Sequence, residues 1–175
     1  MPHALRFAAL LALCSCASGP SYRVGQRKLA ATSVLYDAPA TQELSGLMVF
    51  IAATPEGCAT LMKLDCGQLT QDVPPFDSLV LLLPSTQAGS YPIDPHGGAA
   101  ALLGFHDEPG KRDVVGGKVD LSAAAIPEKS APLAPLKGSF DLQTLLGDKL
   151  KGEFEAARCP GLFEKILSCQ LRPVI

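Results

Sequence analysis

Few residues in this sequence are of types and spacings that could do chemistry. Beyond the first ten positions there are two histidines, His96 and His106, close in sequence to Asp94, Asp107 and Glu108. Imidazole beside carboxylates is the donor set for divalent-metal ligation or for general acid–base transfer. Both histidines lie in or beside turns made of Asp, Pro and Gly, where polar side chains belong for local reasons, so no catalytic or metal-ligating residue is assigned. There is no G-x-S-x-G elbow for a serine nucleophile. Gly97 and Gly98 follow Pro95 and His96 without the lysine and helix start that give a phosphate loop its mechanism, and no cofactor is expected.

Four cysteines, Cys58, Cys66, Cys159 and Cys169, form two pairs in sequence, eight and ten residues apart. Zinc knuckles use shorter spacings, so disulfides are expected if the compartment is oxidising. Four cysteines allow three connectivities. A helix over residues 56–65 would separate Cys58 from Cys66 by roughly 12 Å, beyond the ~7 Å limit between the Cα atoms of a bridge. Cross-pairing is therefore favoured, with Cys58–Cys159 and Cys66–Cys169 preferred because each ties the C-terminal segment to the middle of the chain.

The compartment is read from the N-terminus. Arg6 is followed by an unbroken apolar run, residues 7–14, the arrangement of an export signal. Eight such residues rise about 12 Å as a helix against the roughly 30 Å of hydrocarbon that a span must cross. Leu13, Cys14, Ser15 and Cys16 then resemble the lipobox of bacterial prolipoproteins: an aliphatic residue, a variable one and a small one before the acceptor cysteine. Cys14 fits less well as acceptor because Leu13 is too bulky for the preceding position. The resemblance implies cleavage before Cys16, a diacylglyceryl thioether on its sulfur and acylation of the new amino group. One chain holds a membrane marginally, whereas two or more anchor stably. By the enteric sorting rule, Ala17 in place of aspartate favours the outer membrane, with the protein facing the periplasm.

The resulting division is a signal peptide over 1–15, the lipidated cysteine and a flexible tether over 16–27, and one β-rich domain over 28–175. One core accounts for this length. The formal net charge is −2, with no basic block, so a nucleic-acid partner is not expected. The 16 glycines and 15 prolines are spread without a period, as punctuation between strands.

The elements follow from periodicity. Strands are expected over 28–36, 47–53, 79–83, 90–93, 99–105 and 114–122, with Gly116 and Gly117 marking a bulge or bend. Pro109 and Gly110 fit a type II turn. The clearest signal is a hairpin over 136–156, in which Leu136, Gly138, Phe140 and Leu142 alternate with polar residues, as do Leu150, Gly152, Phe154 and Ala156. A two-residue turn at Gly147 and Asp148 would mix the faces. A three-residue loop would oppose Asp141 to Glu153. A five-residue loop over 144–148 pairs Leu142 with Leu150, Asp141 with Lys151 and Lys137 with Glu155, matching faces and charges. Residues 161–167 suit a short helix plugging one end.

The expected fold is all-β, a single-domain sandwich or partly open barrel with one or two short helices; α+β is the alternative. The expected role is that of a membrane-anchored envelope lipoprotein, with the lipid bilayer as one partner, presenting a non-enzymatic domain that binds an envelope protein or small ligand. The alternative is a small hydrolase-like periplasmic enzyme with a dispersed site. A deep pocket gathering His96 or His106 with carboxylates would favour the enzyme, and a filled interior with an apolar patch would favour the binding module.

Overall fold

A computed structural model describes residues 20–38, 46–53, 57–66, 76–94, 96, 98–108, 111–123 and 135–170. The expected signal peptide over 1–15, Cys16 and the expected turn at Pro109 and Gly110 lie outside these residues.

The domain is all-β. Among the described residues, ten strands and two helices follow in the order β1 (Ser21–Val24), β2 (Arg27–Ala30), β3 (Ser33–Asp37), β4 (Leu47–Ala52), α1 (Gly57–Lys63), β5 (Ser78–Leu83), β6 (Gly89–Pro92), β7 (Ala100–Gly104), β8 (Lys111–Ala123), β9 (Leu136–Thr144), β10 (Lys149–Arg158) and α2 (Leu162–Gln170). Strands β3, β4, β5, β7, β8, β9 and β10 pair in a circuit that closes where β10 meets β3 in parallel, Ala157 opposite Leu35 and Arg158 opposite Tyr36. Every other pairing in the circuit is antiparallel. β6 adds to β8 beyond the short β7 ladder.

Alternation decides which side of the wall each residue faces. Leu47, Val49, Ile51, Leu79, Leu81 and Leu83 point inward, where Leu103, Val119, Phe140, Leu142, Leu150 and Phe154 meet them. Met48, Phe50 and Ala52 point outward into a second cluster with Leu35, Leu61, Cys159 and Leu162. That double burial explains why β4 is an unbroken apolar run rather than an alternating one. Helices α1 and α2 cover this outer patch, held by Cys58–Cys159 (Cα–Cα 5.5 Å) and Cys66–Cys169 (4.9 Å). The cross-pairing preferred from the sequence is the one found.

The β9–β10 hairpin has the register that charge and face matching require: Leu142 opposite Leu150, Asp141 opposite Lys151, Phe140 opposite Gly152, Phe154 opposite Gly138 and Lys137 opposite Glu155. Gly138 and Gly152 leave space for the rings that cross them. The expected irregularity at Gly116 and Gly117 is a register shift between Val114 and Gly116. Gly117, at φ +105°, lies where a Cβ would fall 2.0 Å from the Asp141 carbonyl oxygen.

Two expectations are corrected. Residues 20–27, read as the distal part of a flexible tether, enter the fold: β1 pairs with β2 and buries Tyr22 and Val24. The single strand expected over 28–36 is two strands, broken at Ala31 and Thr32. The cause is tertiary. The ladder joining β10 to β3 spans only two pairs, and the β1–β2 hairpin packs beside β10. Tyr22 lies over Gly152, its ring 5.1 Å from that of Phe140, and its hydroxyl donates to the Glu153 carbonyl at 2.8 Å. Burial pushes the Tyr22 phenol up to about 12.

Candidate functional site

Strand directions define two rims. One gathers the β1–β2 turn, Asp77, residues 105–108 and the loop 144–148; the other gathers Pro20, the end of β8 and the start of β9.

On the first rim His106 and Asp107 follow β7, Asp77 immediately precedes β5, and Arg27 opens β2. The Asp77 Oδ1 atom accepts from the His106 backbone N–H at 2.9 Å and is paired with the ring Nδ1 at 2.7 Å. Arg27 donates through Nη1 to Glu108 Oε2 at 2.8 Å and through Nη2 to Asp107 Oδ1, and its guanidinium stacks 4.3 Å above the ring centroid of buried Phe105. The carboxylate of Asp77 raises the His106 imidazole above its ordinary value, and the hydrogen bond from Arg27 holds the Asp107 carboxyl below its own.

Donor atoms of Asp77, His106 and Asp107 lie within 4.8 Å of one another, a spacing that suits a divalent cation. The positive charge such an ion would bring is already supplied. Arg27 occupies Asp107 and Glu108, and the Asp77 oxygen nearest the imidazole takes the His106 contacts. The imidazole is 59 % exposed, so no low-dielectric enclosure strengthens its interactions. The cluster acts as a clasp fastening the β1–β2 hairpin to the barrel rim.

The sequence pointed to His96, His106, Asp94, Asp107 and Glu108 together; the structure splits them. His106, Asp107 and Glu108 join the clasp, whereas His96 belongs to another turn, its backbone N–H donating to Asp94 Oδ1 at 2.8 Å. Arg27 and Asp77 were missed because one lay in the supposed tether and the other outside every expected strand, and no local pattern joins positions so far apart.

A second feature of this rim is apolar. Thr144 accepts from Gly147 N–H across a β-turn at 2.9 Å, placing Leu145 and Leu146 at the central positions, and Gly147 takes φ +85°. These leucines are 69 % and 73 % exposed, and Val115, in the β8 bulge, is 45 % exposed. Leu145 N–H donates to the Asp113 carbonyl at 2.9 Å, fixing the tip against β8. Turn centres ordinarily carry Gly, Pro, Asn, Asp or Ser, so the Leu145–Leu146 pair was a signal available in the sequence.

At the opposite rim a groove of about 640 Å³ is lined by residues including Pro20, Leu121, Lys137, Gly138, Phe154 and Glu155. Cys58, Cys66, Cys159 and Cys169 are all consumed in the two bridges and offer no thiol for chemistry. Comparison with known proteins finds no family model, no curated protein and no solved structure that this chain matches.

Proposed function

We propose that this chain is a bacterial envelope lipoprotein, acylated at Cys16 and held at the outer membrane facing the periplasm, whose β-domain binds another envelope protein and performs no catalysis. The observation that carries the binding-module part is the filled interior. Tyr22, Val24 and Leu29 of the hairpin join Phe105, Phe140, Leu142 and Leu150 inside the wall. The titratable cluster lies on an open rim already neutralised by its own ion pairs, unlike the enclosed acid–base pair that the enzyme alternative requires.

The disulfides support export. Bridges of this kind persist in oxidising compartments. With β1 beginning at Ser21, only four peptide units separate Cys16 from Pro20, a reach of at most about 14 Å. The rim carrying Pro20 would therefore sit close to the lipid headgroups, and the rim carrying Leu145 and Leu146 would face away from them.

The test is the intact mass of the protein extracted from membranes of its host, before and after reduction and alkylation. Loss of residues 1–15, an added triacyl mass and four cysteines alkylated only after reduction are expected. An unacylated product that still carries or merely lacks its signal would overturn the anchor.

A further inference from the structure

We infer that the β1–β2 hairpin is a detachable strap, lying along an unladdered edge of β10 and swinging out as one unit about the Ala31–Thr32 link while the barrel stays folded. The inference goes beyond the binding-module reading and needs neither the acyl anchor nor a partner.

The barrel wall is incompletely laddered on one side. β10 meets β3 at Ala157–Leu35 and Arg158–Tyr36 alone. Over Lys149–Ala156 it is therefore laddered to β9 on one edge and, among the described residues, to no strand on the other. β1 lies along that second edge, with Tyr22 over Gly152, yet β1 and β2 form a two-stranded sheet of their own. The Glu153 carbonyl points at the hairpin and accepts the Tyr22 hydroxyl where a neighbouring strand would have offered a main-chain N–H. Strands within one ladder share main-chain bonds and open together. The hairpin is joined to the wall by side chains, so it can leave without breaking a rung of the barrel.

Those side-chain attachments are few. In the two four-residue strands Tyr22, Val24 and Leu29 are buried, whereas all six residues of β4 are. At the tip Arg27 holds Asp107 and Glu108 through partly exposed ion pairs, which contribute little in water, and stacks on Phe105. Gly25 rests beside the Asp148 carboxylate. The boundary of the unit is sharp. Ala31 N–H donates to the Pro20 carbonyl at 2.9 Å and closes the hairpin on itself, while Thr32 N–H donates to the Ala52 carbonyl at 2.9 Å and belongs to the barrel. Local opening is easiest where buried apolar contacts and shared ladder bonds are fewest, and the hairpin is poorer in both than β4 or β5. Its release bares the free edge of β10 and the Phe140 ring, and an unpaired strand edge is a template for strand addition. A lone two-stranded hairpin is marginal in water, so the released strap loses its own ladder as well.

The experiment is native-state hydrogen exchange on the disulfide-intact protein purified from its host, in sub-denaturing urea. Arg27→Gln removes the clasp, and Lys118→Gln, which breaks the exposed pair with Asp120 on β8, is the comparison. The laddered amides of β1 and β2 are expected to exchange through one common opening, at least about tenfold more often than those of β4 and β5 and with a weaker urea dependence. Arg27→Gln should raise the frequency of that opening about threefold to tenfold and leave β4 and β5 unchanged, and Lys118→Gln should leave β1 and β2 unchanged. Exchange of β1 and β2 in step with β4 and β5 makes the hairpin part of one cooperative unit and overturns the inference. Exchange graded inward from Ser21 and Ala30 is fraying and overturns it too. So does an Arg27→Gln variant that moves both sets of amides alike or moves neither, or a Lys118→Gln variant that speeds β1 and β2 as much as Arg27→Gln does.

Discussion

The two apolar clusters, one inside the barrel wall and one between the wall and the helices, are held together by different means. The inner cluster is built from strand alternation and ring-over-glycine packing: Leu142 against Leu150, Phe140 over Gly152, Phe154 over Gly138. It contains no disulfide. The outer cluster is smaller, faces two short helices, and is held covalently by both bridges. Helices of seven and nine residues are too short to persist by propensity alone. The disulfides and the outward residues of β4 and β5 stabilise what sequence-local forces do not. Covalent staples are thus concentrated where the noncovalent core is thinnest.

A large effect is expected from breaking the inner cluster. A Cβ at residue 152 would fall 2.2 Å from the Tyr22 ring, and that ring is fixed by its hydroxyl on Glu153 and by Phe140 beside it. Gly152→Val should cost more than about 3 kcal/mol of unfolding free energy, at the upper end for overpacking, because neither neighbour can withdraw. Adding Tyr22→Ala should return part of the loss, so that the pair is strongly non-additive in a denaturant-unfolding cycle. Equal effects for the single and double variants would show that the β1–β2 hairpin does not occupy the wall beside β10.

An effect of comparable size, felt first in the outer layer, is expected from the cysteines. The bridges close loops of 101 and 103 residues, and a single loop of that length is worth roughly 4–5 kcal/mol in the chain-entropy account. Because the two loops overlap, the second adds less. Replacing all four cysteines by serine should lower the unfolding midpoint substantially, while amides of β4, β5, β9 and β10 keep hydrogen-exchange protection longer than those of α1 and α2. Uniform loss of protection would mean that the clusters form one cooperative unit.

How much of this was legible in the sequence follows the same division. The β9–β10 register could be read because opposed faces and charges exclude its neighbours, and β4 and β5 because continuous apolar runs of that length suit doubly buried strands. One of the three cysteine connectivities could be excluded because a helical segment keeps Cys58 from Cys66, an argument common to both cross-pairings. Nothing local announced the parallel closure of β10 on β3, the capture of β1, or the meeting of Arg27 with Asp107 and Asp77 with His106. Each joins short polar or weakly patterned segments from distant positions, and only the completed barrel brings them together. The exposed Leu145–Leu146 pair was visible as composition, but its meaning depends on knowing that the turn leaves both side chains in water.

Asp37 gives the finest test of the outer layer, and it too was silent in the sequence. Although almost fully buried at the end of β3, it accepts the Phe163 N–H at 3.1 Å through Oδ2, satisfying a donor in the first turn of α2 that the helix itself leaves open. Burial, the largest influence, raises its carboxyl above the ordinary value despite that hydrogen bond. A carboxyl raised on folding stabilises the fold most fully at low pH, below its unfolded value near 4. The contribution fades as pH climbs through the raised value. Asp37→Asn keeps an acceptor oxygen and has no proton to lose, so its stability relative to the parent should improve as pH rises across that window. Asp37→Ala also removes the acceptor, so it should follow the same pH trend while lying about 1 kcal/mol or somewhat more below Asp37→Asn at every pH. Chemical unfolding of the three proteins from pH 3 to pH 8 decides the matter: if Asn and Ala fall together, the hydrogen bond to Phe163 contributes nothing, and the bridges alone hold α2 against the barrel.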